Sequence, residues 1–431
     1  MRVFSRLPQP LALALLAALL EAAFLILRWQ HPLDENVVGV IATGLAASIV
    51  YFLAVRWVVS RPHSTATALA VVLLAAVIFR ATLFPLPPTL SHDFYRYLWE
   101  GEIQLAGHNP YLSVPADLAR AGSHPAEFEK FPGKEFPTAY APVTELLFRL
   151  TAYLDGPAGF KLLSVGFDLA TLLVIVGLLR VRREPPVRAL LYAWCPLVVL
   201  EFAGSGHNDS LALFGLLLAN LLIIRQRVGV SILALAAATM SKWFAAVMAP
   251  VFLWRGRWWS FPLFGAAGLA TLLPYGDAGW NLLRGFLVYA EQWRNNESLY
   301  GVILAASGQE SVATGVAVGG LGGLGVHCAA RGTEPLRASF LLIAAVLLLS
   351  PSVFPWYVTW LVPFLCFFPQ PALLLFTATV LLSYHVLMDY TAAGVGRYRG
   401  WLVGLEYLPV YALLLRGWWR GRRKAPALGD S

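Results

Sequence analysis

The segment Ser91-His92-Asp93-Phe94-Tyr95-Arg96-Tyr97-Leu98-Trp99-Glu100-Gly101 sets two carboxylates, a guanidinium, an imidazole and four aromatic rings side by side. It directly follows three strongly apolar segments. A charge that drifts into hydrocarbon costs about 2.5–3.5 kcal/mol even on the lenient scale, so ionisable groups beside a membrane span call for a reason. The cluster continues through Glu102 to Gly107-His108-Asn109-Pro110-Tyr111. Three further clusters have the same character: Glu201 with Gly206-His207-Asn208-Asp209, Ser241-Lys242-Trp243, and Glu291-Gln292-Trp293-Arg294-Asn295-Asn296-Glu297-Ser298. Pro351-Ser352-Val353-Phe354-Pro355-Trp356-Tyr357 completes the set. Acids can take a proton, cations can hold a phosphate, and aromatic rings can face a sugar.

That combination suits transfer of a sugar from a lipid phosphate to a hydroxyl acceptor. The phosphate leaves as an anion without an acid, and Lys242, Arg96 or Arg294 could stabilise its charge. One carboxylate must take the acceptor proton, and direct displacement inverts the anomeric centre, as in inverting glycosidases. Each cluster also has a plainer reading. Tyr95, Tyr97 and Trp99 could form a headgroup belt on an interfacial helix. Asn208 or Asp209 could cap the following helix. Lys242 could snorkel to the interface, and Trp293 and Arg294 could serve as an anchor.

The elements that must position these groups are membrane helices. Hydrophobic residues make up 58% of the chain and charged residues 13%, against about a quarter charged in soluble domains. The apolar residues run in long stretches, and no polar stretch is long enough for a separate soluble domain. The sequence predicts an all-α polytopic membrane protein with about twelve to fourteen spans, several too short to cross alone. A single domain over residues 1–424 is expected, with extracytoplasmic loops at 84–157 and 275–311 and a cytoplasmic tail at 425–431. Arginine clusters in alternate connections, such as Arg180, Arg182, Arg183 and Arg188, place both termini in the cytoplasm. Arg2 and Arg6 before the first apolar run read as the start of an uncleaved helix. Ala141–Leu154 is read as interfacial, with Glu145 and Arg149 on its wet face. Glu21 and Asp168 read as isolated acids at membrane depth, too few for a transport path. The net charge of +8 is spread in these short clusters and forms no nucleic-acid stripe. Cys195, Cys328 and Cys366 lie singly in apolar segments and read as buried thiols.

At the clusters named above the chain resembles the C-type glycosyltransferase superfamily, integral membrane enzymes that use polyprenyl-phosphate sugars. Asp93 to Gly101, Gly107 to Tyr111, Tyr140-Ala141-Pro142, Gly206 to Asp209, Ser241 to Trp243 and Trp293 to Ser298 are similar to its bacterial alpha-mannosyltransferase branch. The resemblance implies a helical bundle with interfacial helices in the first large extracytoplasmic loop. It also implies a multi-pass inner-membrane location, an active site facing away from the cytoplasm, and Asp93 as the general base, with Glu100 or Glu102 as the alternative. Arg96, Tyr97, Asn109, Tyr111, His207, Asn208, Asp209, Lys242, Arg294, Asn295 and Trp356 are the expected substrate contacts. The implied partners are a polyprenyl-phosphate donor of mannose, a lipid-linked or envelope glycan acceptor, and membrane lipids. Many relatives carry paired acids in the first loop, where this chain has His92-Asp93 followed by Phe94-Tyr95. This departure speaks against a divalent metal, no metal ligand is assigned, and no cofactor is expected. The rival reading is a transporter or flippase of lipid-linked sugars.

Overall fold

The structure, a computed structural model, describes residues 8–61, 65–121, 128, 132–154, 156–393 and 396–424. The 425–431 tail lies outside them. Among the described residues the fold is helical, without a strand. Six helices are long and apolar enough to cross a membrane: α1 (Gln9–Trp29), α2 (Val37–Val59), α3 (Ala66–Leu83), and later Gly156–Val181, Glu310–Ala330 and Pro371–Asp389. A seventh results if Pro186–Ala193 and Pro196–Gly204, bent by 60°, form one broken span. The expectation of twelve to fourteen spans thus comes down to six or seven by length. The difference lies partly in the shorter apolar helices Asp209–Ile224, Val228–Ser241, Trp243–Arg255 and Pro335–Leu349. A helix of 16 residues rises about 24 Å, short of a hydrocarbon core of about 30 Å.

Buried polar bonds fix the frame. Arg80 on α3 is an ion-pair partner of Asp168, and the Tyr192 hydroxyl donates to the same carboxylate at 2.7 Å. Arg80 also donates to the Ala193 carbonyl at 2.8 Å, so α3, the helix carrying Asp168 and the broken span meet at one guanidinium. Asp168 is therefore not isolated. Neither is Glu21, which accepts a hydrogen bond from Thr82 at 2.5 Å. Lys161 donates to the Leu86 and Gly204 carbonyls at 2.6 and 2.9 Å, pinning the link that leads from α3 to Asp93.

Four amphipathic or short elements follow that link: α4 (Asp93–Leu105), α5 (Pro115–Arg120), α6 (Pro142–Leu154) and the start of α7 (Gly156–Val181). α4 lies directly on α6. A Cβ on Gly101 would sit 2.2 Å from the Phe148 carbonyl oxygen, so only glycine permits that approach. Tyr97, Phe148 and Phe160 fill the contact, with Tyr97 stacked on Phe148 at 4.8 Å. The expected wet face of α6 is half wrong. Arg149 is exposed, but Glu145 is fully buried against α4. Its carboxyl group accepts hydrogen bonds from Gln104 at 2.9 Å and Thr138 at 2.6 Å, which replace water. Thr144, one residue before it, donates to the Ser241 carbonyl at 2.7 Å and brings α6 to the doorstep of Lys242.

Candidate active site

A cavity of about 370 Å³ opens where α4, the 132–141 segment, the Ser241–Phe244 turn and residues 354–360 converge. This is within the range of small-ligand sites. Asp93 opens α4, where a carboxylate also favours the positive end of the helix. It lines the cavity and is partly exposed to it, and its side chain accepts no hydrogen bond from the described residues. Burial pushes its carboxyl up to about 6, opposed by Lys242 and Arg96 and reinforced by Asp209 and Glu100.

Lys242 stands at the break between Val228–Ser241 and the turn beginning at Trp243. Its extended backbone, φ −153° and ψ 125°, redirects the side chain into the cavity. It does not snorkel to water. Its ammonium donates to Asp209 at 2.7 Å and approaches Asn208 at 3.5 Å. It also lies 5.2 and 5.7 Å from the Tyr357 and Trp360 ring centroids, in cation–π range. Asp209 is fully buried, and its other oxygen accepts from the Trp360 indole at 2.5 Å. Neither Asn208 nor Asp209 caps the following helix with its side chain, so the capping alternative falls. The Asn208 amide nitrogen is buried without a partner among the described residues.

His207 lies behind the wall. It is fully buried, stacked on Trp356 at 4.1 Å, 3.3 Å from Glu201 and 3.4 Å from the Tyr97 hydroxyl. Burial, then Lys242, lowers its pKa well below the usual value, which leaves a neutral ring. Trp356 and Tyr97 line the cavity.

The remaining expected contacts sit elsewhere. Arg96 touches the cavity but is committed to Glu100 at 2.9 Å and to the carbonyls of Pro132, Gly133 and Phe136. Glu100 is fully buried in that ion pair, and Glu102 is exposed half a turn away from the Asp93 face. Neither lines the cavity. Asn109 donates to Asp277 at 2.5 Å and caps the Tyr111 amide. Tyr111 donates to the Tyr140 carbonyl and packs on Tyr275, so both residues hold the loop in shape. Arg294 is paired with Glu297, and Asn295 bridges to Ser352 through its backbone. Of that cluster, Trp293 reaches the cavity.

Sequence reasoning missed Trp360 and underused Tyr357. Trp356 and Trp360 are four apart, the spacing that puts two rings on one helical face, and that was the available signal. Among the described residues, no three His, Cys, Asp or Glu side chains are grouped to hold a metal ion.

A helical multi-pass bundle with a carboxylate and an ammonium facing one aromatic-walled cavity is the layout of a membrane group-transfer enzyme. The sequence model of the alpha-(1->6)-mannopyranosyltransferase MptA/B family, N-terminal domain, matches residues 11–256, more than half of the chain. The chain belongs to that family, which lies within the C-type glycosyltransferases. The matched span contains Asp93, His207, Asn208, Asp209 and Lys242. No curated protein and no solved structure matches.

Proposed function

We propose that this mannosyltransferase-family protein moves a mannosyl group from a polyprenyl-phosphate donor to a hydroxyl of a lipid-linked or envelope glycan, with inversion, on the extracytoplasmic face. The observation that supports this reading is Asp93: a cavity-facing carboxyl, held at about 6, that accepts no hydrogen bond from the described residues and feels the Lys242 cation. A base with a pKa near the working pH is well matched to proton transfer. Asp93 takes the proton of the acceptor hydroxyl as its oxygen attacks the anomeric carbon. The bond to the phosphate oxygen breaks on the opposite side, and the phosphate keeps the electron pair. Lys242 faces that charge with the ammonium valence left over from Asp209 and Asn208. The aromatic walls, led by Trp356, Tyr357 and Trp360, offer flat apolar surface for sugar faces and the first isoprene units.

Purified full-length protein in detergent, given polyprenyl-phosphate mannose and a mannoside acceptor, tests the reading. Donor-dependent product with anomeric configuration opposite to the donor is expected. Movement of the lipid-linked sugar across vesicles without any transfer would overturn it in favour of a flippase.

A further inference from the structure

Glu145 belongs to none of the chemistry above, yet it is a fully buried carboxyl at the centre of a polar tier under the cavity wall. The tier begins at Arg96, which is 3% exposed and grips three backbone carbonyls of the 132–136 segment. The segment is shaped around that grip. Gly133 has φ +69°, and a Cβ there would lie 2.7 Å from an Arg96 nitrogen and 2.6 Å from the Phe136 ring. Arg96 is backed by Glu100, whose second oxygen is buried and accepts no hydrogen bond from a donor among the described residues. Glu145 lies next to it, within hydrogen-bonding reach. Glu145 in turn accepts from Thr138, whose backbone amide is tied to the Pro110 carbonyl at 3.1 Å. Both ends of the wall, 132–136 and 138–140, are thus fastened to one chain of side chains.

We propose that Glu145 is a positioning residue for sugar transfer: through Glu100 and Arg96 on one side and Thr138 on the other, it holds the 132–140 wall at its place opposite Asp93. The inference rests on the transfer reading above. One guanidinium faces two buried carboxyls, so one of the two must carry a proton for the tier to be satisfied. Burial, and then the neighbouring Glu100, hold the Glu145 carboxyl far above the usual carboxylate range, which assigns the proton to Glu145. The proton fills the empty valence on Glu100. The other groups around Glu145 are Arg96, Gln104, Tyr111 and Tyr275, with Arg149 exposed one turn along α6 and acting on Tyr275; Arg96 is the buried cation among them. Loss of the proton at alkaline pH sets two carboxylates against each other and loosens the wall.

The test uses full-length protein carrying Ala139→Cys, a cavity-lining position, in three backgrounds: wild type, Glu145→Gln and Glu145→Ala. The native cysteines are buried. Glutamine mimics the neutral acid in shape, so the Glu145→Gln protein should fold. Its activity should lack the alkaline fall of wild type, and the ratio of maleimide labelling in wild type to that in Glu145→Gln should rise at least threefold with pH. Glu145→Ala should label at least threefold faster at every pH; if it fails to fold, the comparison with Gln stands alone. A labelling ratio flat in pH, with identical alkaline limbs of activity, overturns the proposal. Labelling that responds while no background transfers mannose retains the tier and removes the transfer reading instead.

Discussion

Replacing Asp93 by Asn keeps the side chain's shape and removes its basicity. With the carboxyl held at about 6, roughly ten in eleven molecules are ionised at pH 7, so wild-type kcat/KM should already be near its plateau there. Below pH 6 it should fall about tenfold per pH unit. A positioned base contributes about 10²–10⁴-fold. Asp93→Asn should therefore lose at least about a hundredfold in kcat, with the donor KM little changed, since no donor contact is removed. The residual rate should no longer fall through pH 6.

The same group makes a stability prediction of opposite sign. Its folded pKa is raised, so the contribution it makes is present below the ordinary carboxylate range and is lost as pH rises through about 6. At pH 8 the ionised acid is a liability of at most about 3 kcal/mol, reduced by its partial exposure to the cavity. Asp93→Asn should melt no lower than wild type at pH 8 in detergent, by tryptophan fluorescence or light scattering. Transfer is followed with radiolabelled donor at saturating acceptor. A variant that keeps more than about a tenth of the wild-type kcat would refute the assignment, being well above what loss of a positioned base leaves. A variant that melts far lower would show that Asp93 holds the fold instead.

Lys242→Ala should raise the donor KM at least tenfold and Lys242→Arg should recover part of it, because the charge returns with a different geometry; equal donor KM in all three would make the residue purely structural. Removing one partner of a buried ion pair costs about 3–5 kcal/mol, whereas removing both is much milder. Arg80→Met should therefore lower the melting temperature more than Arg80→Met combined with Asp168→Leu, and the reverse order would mean that the pair does not hold α3 to α7. For the orientation, a cysteine at Ala116 should react with an impermeant maleimide in spheroplasts, and one at Gly417 should react after lysis alone; the opposite pattern inverts the proposed sidedness.

Much of this was legible because helical membrane sequences display their apolar runs openly. Three strongly apolar segments precede the Asp93 cluster in the sequence, and three helices long enough to span a membrane precede it in the structure. That Asp93 and Lys242 face one cavity, with Asp209 buried behind the ammonium, was also readable, since each sits in a polar cluster at the end of an apolar run. What stayed hidden depends on contacts between distant segments. Asp209 and Trp360 are 151 positions apart, and nothing local in either segment announces the bond. Arg96 misled for a related reason. An arginine one turn from a catalytic candidate looks like a ligand for phosphate, and only the folded 132–136 segment shows its donors already spent. Glu145 reads from the sequence as water-facing because a charged residue on an amphipathic helix normally is; its partners lie on α4 and at Thr138.

The pairing of Lys242 with Asp209 has a consequence for the base. An ammonium has three donors. Asp209 takes one at 2.7 Å, Asn208 sits at the limit of a second, and the cavity is left with the remainder. The Trp360 indole holds the far oxygen of Asp209, so the carboxylate cannot swing away and the ammonium stays fixed. Lys242 also lowers the Asp93 pKa, and Asp209 raises it. An anionic donor seated on Lys242 cancels part of the lowering influence and adds negative charge near Asp93. The base therefore becomes stronger when the donor arrives, nearer to neutral pH than the value of about 6 in the empty site. Because kcat/KM reports the free enzyme and kcat the loaded one, the acid limb of kcat should lie at higher pH than that of kcat/KM. Lys242→Ala should shift the kcat/KM limb upward and shrink the gap between the two. Coincident limbs in the wild type would mean that the donor charge does not reach Asp93, and Lys242 would then have to hold it elsewhere than beside the base.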